Sequence, residues 1–175
     1  LCYGCKAIQY FPLVEPVHFA YAPGGTYDFD RNGIISAAGN KTRWYYYVQK
    51  ANTQIKAIDH VLMNSANIGM IVHGKKANLL ADTQADDRAE LIRDGKFRQL
   101  TSVSGDDCFV GCFDYNGGTA LYVVNYSRKD KANVTLNFDK TYGYEVIQRA
   151  VSAEVAAKNL PLTLEAGEGA LVVLK

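Results

Sequence analysis

Cys5-Lys6-Ala7-Ile8-Gln9-Tyr10-Phe11 is a short, mostly apolar run rich in β-formers, and Pro12 closes it by withdrawing the N–H that a continuing ladder needs. It reads as a buried strand. Residues 13–39 follow with Gly24-Gly25, Asn32-Gly33 and Gly39 as turn signals, and Asn40-Lys41-Thr42 then offers short side-chain oxygens to the free amides of a helix start. From there apolar side chains recur at Trp44, Tyr47, Val48, Ala51, Ile55, Ile58 and Leu62, while Gln49, Lys50, Asn52, Thr53, Lys56 and Asp59 take the other face. That 3.6-residue stripe predicts an amphipathic helix.

Strand, long loop and helix make one βα unit. A parallel strand needs cover on both faces, which one such unit does not provide, so the missing neighbours are expected elsewhere. Leu1 stands almost inside the first element and the only methionines are Met63 and Met70, which suggests an excised or cleaved piece of a longer chain. The competing expectation is a complete small domain trimmed at its start.

The chain has 175 residues with 48% hydrophobic content, enough for one ordinary domain and an appendage. A formal charge of +1, with basic residues scattered among acids, gives no general attraction to nucleic acid or to an anionic membrane. No signal peptide and no 18-residue apolar span is visible in the sequence.

Cys2 and Cys5 form a C-x-x-C and Cys108 and Cys112 a C-x-x-x-C, so a four-thiolate zinc site is conceivable on paper. The second pair lies in a strand pattern, where positions four apart are separated by about 13 Å. That is too far for two ligands of one tetrahedral ion, and small buried thiols are the expected reading. No cofactor is expected.

After the helix the period changes. Residues 68–73 form a first strand candidate, and 75–98 a polar stretch read as a loop with an edge strand and a turn at Asp94-Gly95. Val134, Leu136 and Phe138 then alternate with Thr135, Asn137 and Asp139, as in a sheet with one face in a core. Further runs are 100–103, 108–115, 120–126, 144–151, 160–164 and 170–174, with Asn116-Gly117 as a strong hairpin signal and Tyr142-Gly143 as another turn. Short antiparallel strands at this spacing predict a two-sheet sandwich.

Residues 3–11, the loop ending Asp30-Arg31-Asn32-Gly33, the helix from Arg43 to Ile58 and the closing run 162–174 together resemble the C-terminal end of bacterial (β/α)8-barrel glycoside hydrolases, the β-galactosidase-like enzymes of the family 42 sort and their relatives. The resemblance implies a mainly β chain in two parts. Residues 1–63 would be the last strand, loop and helix of the barrel, and 64–175 an antiparallel β-sandwich. It also implies that both hydrolytic carboxylates lie upstream, since hydrolysis needs two of them flanking the scissile bond. The chain alone is then expected to be inactive, its partners a carbohydrate substrate and the remainder of the barrel. A periplasmic or secreted location follows from the same resemblance.

In that frame the 13–28 loop leaves the C-terminal end of a barrel strand, where active sites of this architecture sit. Glu15, His18, Phe19, Tyr21, Tyr27 and Asp28 offer hydrogen-bonding groups for sugar hydroxyls and aromatic faces for pyranose rings. The plainer reading is a boundary loop that collects aromatics for packing. A catalytic Glu15 would require the preceding strand to be the seventh, and residues 75–100 do not clearly supply the further strand and helix.

Asp28-Phe29-Asp30-Arg31-Asn32-Gly33 matches the opening of a calcium loop, but Gly39 stands where the bidentate glutamate belongs, so an aspartate-rich turn is expected. His60 and His73 show no ligand spacing, and the sequons at Asn40, Asn125 and Asn133 carry little weight if the source is bacterial, as the resemblance implies. Tyr45 and Tyr46 flank the stripe and are expected to pack between helix and sandwich. A different class of function remains open: the sandwich itself grips carbohydrate through Tyr115, Tyr122, Tyr126, Tyr142 and Tyr144. A third reading makes residues 64–175 purely structural within a parent glycosidase.

Overall fold

Alternation of period two in the second half of the chain becomes one curled antiparallel sheet. The computed structural model describes residues 1–10, 13–14, 20–21, 25–26, 33–36, 38–75 and 91–175. In chain order these hold β1 (Ala20–Tyr21), β2 (Gly25–Thr26), α1 (Arg43–Leu62), β3 (Ser65–His73), a 3-10 turn (Arg93–Gly95), β4 (Leu100–Gly105), β5 (Cys108–Tyr115), β6 (Gly118–Asn125), β7 (Ala132–Gln148), β8 (Val151–Leu164) and β9 (Gly169–Leu174). β1 and β2 pair with each other. The other seven strands run β3-β5-β6-β9-β7-β4, with β8 also on β7.

β7 makes the sheet curl. Its first half pairs with β4 and the end of β8, its second half pairs with β9 and the start of β8, and the register slips between Asn137 and Tyr142. An irregularity of this kind bends the strand and increases its twist. The two ends of the sheet therefore face each other across a core in which Leu100, Val103, Val134, Leu136, Phe138, Leu160, Leu162 and Leu164 meet Val110, Cys112, Leu121, Val123, Tyr144 and Val172. Two separate sheets were expected, with a turn at Tyr142-Gly143. Instead β7 continues through that position and belongs to both layers.

The middle strands also bury their second face. Phe113, Ala120, Ile147, Leu171 and Val173 form a separate cluster with Ile58, Val61 and Leu62 of α1, and Leu1 packs against it. At about 1.5–3 kcal/mol for each fully buried aliphatic side chain, those three helix residues fasten the end of α1 to the sheet. The first residues cross the same face: a Cβ at Gly111 would lie 2.7 Å from the Cys2 carbonyl oxygen and 2.8 Å from a Phe113 ring carbon. Only glycine admits that close approach. The Asn67 amide donates to the Cys2 carbonyl at 3.0 Å, and the Lys6 ammonium donates to the carbonyls of Leu62 and Ser65, capping the C-terminal end of α1.

The barrel expectation is overturned. Residues 5–10 form no strand, and Ile8, expected at the centre of a buried one, is 48% exposed. No parallel ladder joins this segment to anything, so no terminal βα unit of a (β/α)8 barrel is present among the described residues; the mainly β character holds, the barrel part does not. The helix starts as expected, with Thr42 Oγ1 accepting from the Trp44 N–H at 3.2 Å. Its stripe is buried only at the end: Ile58 and Leu62 are in the core, whereas Tyr47 is 61% exposed. Tyr46 is exposed as well, its ring edge-on to Tyr45 at 5.5 Å.

The contacts divide the chain into two compact units, residues 1–6 with 57–175, and residues 7–56. In the second, Val14 bridges Ile35, Ile35 bridges Lys41, and the Thr42 hydroxyl donates to the carbonyls of Gly33 and Ile34. Tyr10 donates to the Asn52 side chain at 2.9 Å.

Candidate functional site

The loops at one end of the curled sheet enclose an open cleft of about 660 Å³ lined by Lys75, Asp106, Asp107 and residues 125–132. It is built by the β6–β7 connection, which carries few apolar residues and so depends on hydrogen bonds for its shape. Asn125 is 2% exposed at the end of β6. Its Nδ2 donates to the carbonyls of Asp130 at 2.8 Å, Glu165 at 2.9 Å and Leu164 at 3.3 Å, and its Oδ1 accepts from the Ser127 N–H at 2.8 Å. Ser127 Oγ in turn accepts from the N–H groups of Lys129 and Asp130 and donates to the Asp130 carboxylate. One buried amide thus ties together the two loops that follow β6 and β8. On the facing wall the Asp106 carboxylate accepts from the Asn133 N–H at 2.8 Å, and the Asp106 N–H donates to the Asn133 carbonyl at 2.9 Å.

Tyr126 gives the cleft an aromatic element. Its ring stands edge-on to Phe109 at 5.5 Å. Around it Lys75, Arg128 and Lys129 bring positive charge and Asp106, Asp107 and Asp130 negative charge. The cleft thus combines one aromatic ring with several hydrogen-bond donors and acceptors. The Asp106 and Asp130 carboxylates each accept a hydrogen bond that helps to shape these loops.

Next to Asn125, whose N–H donates to its carbonyl, lies the buried carboxylate of Glu168. Glu168, 9% exposed, accepts from Arg149 Nε at 2.6 Å and Nη2 at 3.0 Å, from the Glu165 N–H at 2.7 Å and from Gln148 Nε2 at 3.2 Å. Burial alone would raise its pKa. The Arg149 guanidinium, the Glu165 N–H and the Gln148 amide outweigh burial and hold the carboxyl below its ordinary 4.5. A folded-state value below the unfolded one stabilises fully above the unfolded pKa and is lost as the pH falls through the folded one. Glu168→Gln is therefore expected to lower the urea midpoint at neutral pH, with the gap to wild type closing as the pH drops below 4.5. Midpoints measured over that range check it; a gap that stays constant to acid pH contradicts the assignment.

Of the residues singled out in sequence, Glu15, His18, Phe19, Tyr27 and Asp28 lie outside the described residues, as does the calcium-like run through Asn32. Tyr21 lies in β1, opposite Gly25. The five tyrosines offered for a sugar-binding patch do not share one surface: Tyr115 and Tyr122 pack on the helix side of the sheet, Tyr142 and Tyr144 on the inner core, and Tyr126 alone reaches the cleft. Cys2, Cys108 and Cys112 are buried free thiols and Cys5 is an exposed one. Burial pushes Cys2 up to about 11 and Cys108 and Cys112 up to about 12, values that keep them as thiols. His60 is exposed, and His73 lies 3.2 Å from the Gly105 carbonyl.

The Asn125 and Glu168 networks were missed in sequence. Asn125 stood out only as a sequon, although its position ending a strand next to Ser127 is an Asx-turn signal. Comparison with family models, with curated proteins and with solved structures found no match.

Proposed function

We propose that this chain is a non-catalytic, mainly β module of a larger glycoside hydrolase, whose hydrolytic carboxylates lie elsewhere in the polypeptide. The observation that supports a structural role is the second apolar face of the sheet, where Phe113, Ala120, Ile147, Leu171 and Val173 are covered by Ile58, Val61 and Leu62 of α1. That face is closed by the end of the helix and offers no open apolar surface to a ligand. The link to carbohydrate rests on the resemblance of residues 3–11, 43–58 and 162–174 to glycoside hydrolases. In this reading Glu15, His18, Phe19, Tyr21, Tyr27 and Asp28 contribute sugar contacts.

The test is a panel of p-nitrophenyl glycosides, including the β-galactoside, with the chain alone and with the product of the whole reading frame. Turnover is expected from the whole product and none from the chain. Turnover by the chain, abolished by Glu15→Gln, contradicts the non-catalytic reading, and a whole product inert on every glycoside contradicts the link to hydrolases. A second reading is favoured by the Tyr126 cleft: the module holds an oligosaccharide there. It requires a thermal shift with galacto-oligosaccharides that Tyr126→Ala removes.

A further inference from the structure

Among the described residues, the start of β8 is an uncovered sheet edge. Residues 151–157 pair with β7 on one side, and no strand of the described residues takes the other. Val151 is 66% and Val155 38% exposed, and Ser152, Ala153, Glu154 and Ala156 are exposed too. Exposed edges of this kind are ordinarily blunted by proline, a bulge or charge. Here the register with β7 runs unbroken from Val151 to Ala157, and the first proline is Pro161, past the bend. The one charge in the segment, Glu154, is answered by Lys175 at 2.5 Å. The edge of β3, by contrast, is partly covered where Leu91 bridges Met70 and the Ile92 N–H donates to its carbonyl.

We propose that two copies of this chain associate by pairing their β8 edges antiparallel, with the two-fold axis at Ala153. The choice of a second copy comes from the sequence of the edge, which complements itself. Directly opposed residues in an antiparallel pair lie on the same face, so Val151, Ala153 and Val155, opposite Gln148, Val146 and Tyr144 of β7, form one stripe, and Ser152 and Glu154 lie on the other face. A two-fold at Ala153 sets each Val151 against Val155 of the second copy, Ala153 against Ala153, and Ser152 against Glu154. All four valines find apolar neighbours and no like charges meet. Centring at Glu154 opposes two carboxylates, which is unfavourable. Centring at Val155 carries Val151 opposite Asn159, beyond the break in register between Ala157 and Asn159, and leaves it without a partner. The interface joins few residue pairs, so the dimer is weak and concentration-dependent.

Sedimentation equilibrium over a concentration series into the millimolar range tests it, in a Cys5→Ser background because Cys5 is the exposed thiol. A monomer–dimer equilibrium is expected. Ala153→Lys, which opposes two ammonium groups, should weaken association at least about tenfold, and Ser152→Lys, which places a cation opposite Glu154, should tighten it. Both positions are exposed, and circular dichroism confirms that the variants fold. Register is read by cross-linking: with diamide as oxidant, Ala153→Cys should give a disulfide dimer by itself, because opposed Cα atoms about 4.5–5.5 Å apart lie within disulfide reach. Val151→Cys should cross-link only when mixed with Val155→Cys. A monomer throughout the series, a dimer indifferent to both lysines, or equal self-cross-linking at 151, 153 and 155 overturns the proposal.

Discussion

Asn125→Asp is expected to destabilise the protein by about 3–5 kcal/mol at neutral pH, the cost of leaving a buried charge without its partner. The change is nearly isosteric, so packing does not explain the loss. It replaces the Nδ2 donor with an anionic oxygen aimed at the carbonyls of Asp130, Leu164 and Glu165. In a chain of this size each kcal/mol moves the melting midpoint by about 2–4 °C, so the effect is large in a thermal scan. Protonation of the new carboxyl removes its charge, and burial favours that neutral form, so its folded-state pKa lies above the unfolded aspartate value of about 3.9; the deficit should shrink as the pH falls through that raised value and stop changing below about 3.9. Asn133→Asp is the control. Asn133 is exposed and its Oδ1 already accepts from Thr163, so the substitution should stay within about 0.5 kcal/mol. A thermal midpoint for Asn125→Asp that matches this control sinks the account of Asn125 as the tie between the loops after β6 and β8.

What the sequence made legible follows from how local the cause is. β5 is read correctly to the residue because Cys108, Val110 and Cys112 face the inner core while Phe113 starts the other face, leaving a continuous apolar run between clear turns. The Asn116-Gly117 hairpin is equally local: both residues have positive φ, at 52° and 74°, which is what a tight hairpin demands. The next hairpin is not legible. β7 and β8 are joined through Arg149 and Ala150, which also take positive φ, at 55° and 61°, without a glycine or asparagine to announce it. Strain of about 1–2 kcal/mol per residue is expected for such side chains. The bidentate pairing of the Arg149 guanidinium with buried Glu168, nineteen positions later, opposes it. A turn held by a distant residue leaves no trace in its own few letters.

The same reasoning explains the false barrel strand and the half-right helix. Residues 5–10 have strand composition, but composition does not supply a ladder, and the segment is held instead by side chains, the Lys6 ammonium on the end of α1 and the Tyr10 hydroxyl on Asn52. The stripe on α1 was the right period with the wrong extent, because periodicity shows which residues share a face and not where a partner surface ends. Val61, outside the stripe chosen from sequence, is 2% exposed. The candidate site was less legible still: the cleft residues are polar and scattered over three connections, and only folding brings Lys75, Asp106 and Tyr126 to one rim.

Val61→Asp is the second large effect, and it bears on the proposed role. The substitution removes an aliphatic side chain worth about 1.5–3 kcal/mol and puts a carboxylate into the cluster of Phe113, Ile147, Leu171 and Val173. The Lys6 ammonium near this end of the helix is already engaged by the carbonyls of Leu62 and Ser65. Burying a charge without a partner adds several kcal/mol, so the midpoint should fall by more than about 10 °C. Leu62→Ala, which leaves only a cavity, should cost about 2–5 kcal/mol, and Met63→Asp, on an exposed side chain one residue further, should be nearly neutral. The order Val61→Asp, Leu62→Ala, Met63→Asp is the signature of a helix end fastened to the outer face of the sheet; three similar small shifts would mean that the face is not closed by α1. In the whole reading-frame product the same Val61→Asp should shorten thermal half-life while leaving kcat per folded molecule unchanged, because a module that attaches and stabilises supplies no group to the reaction. A fall in kcat with unchanged stability would instead place this face in the catalytic machinery and end the structural reading.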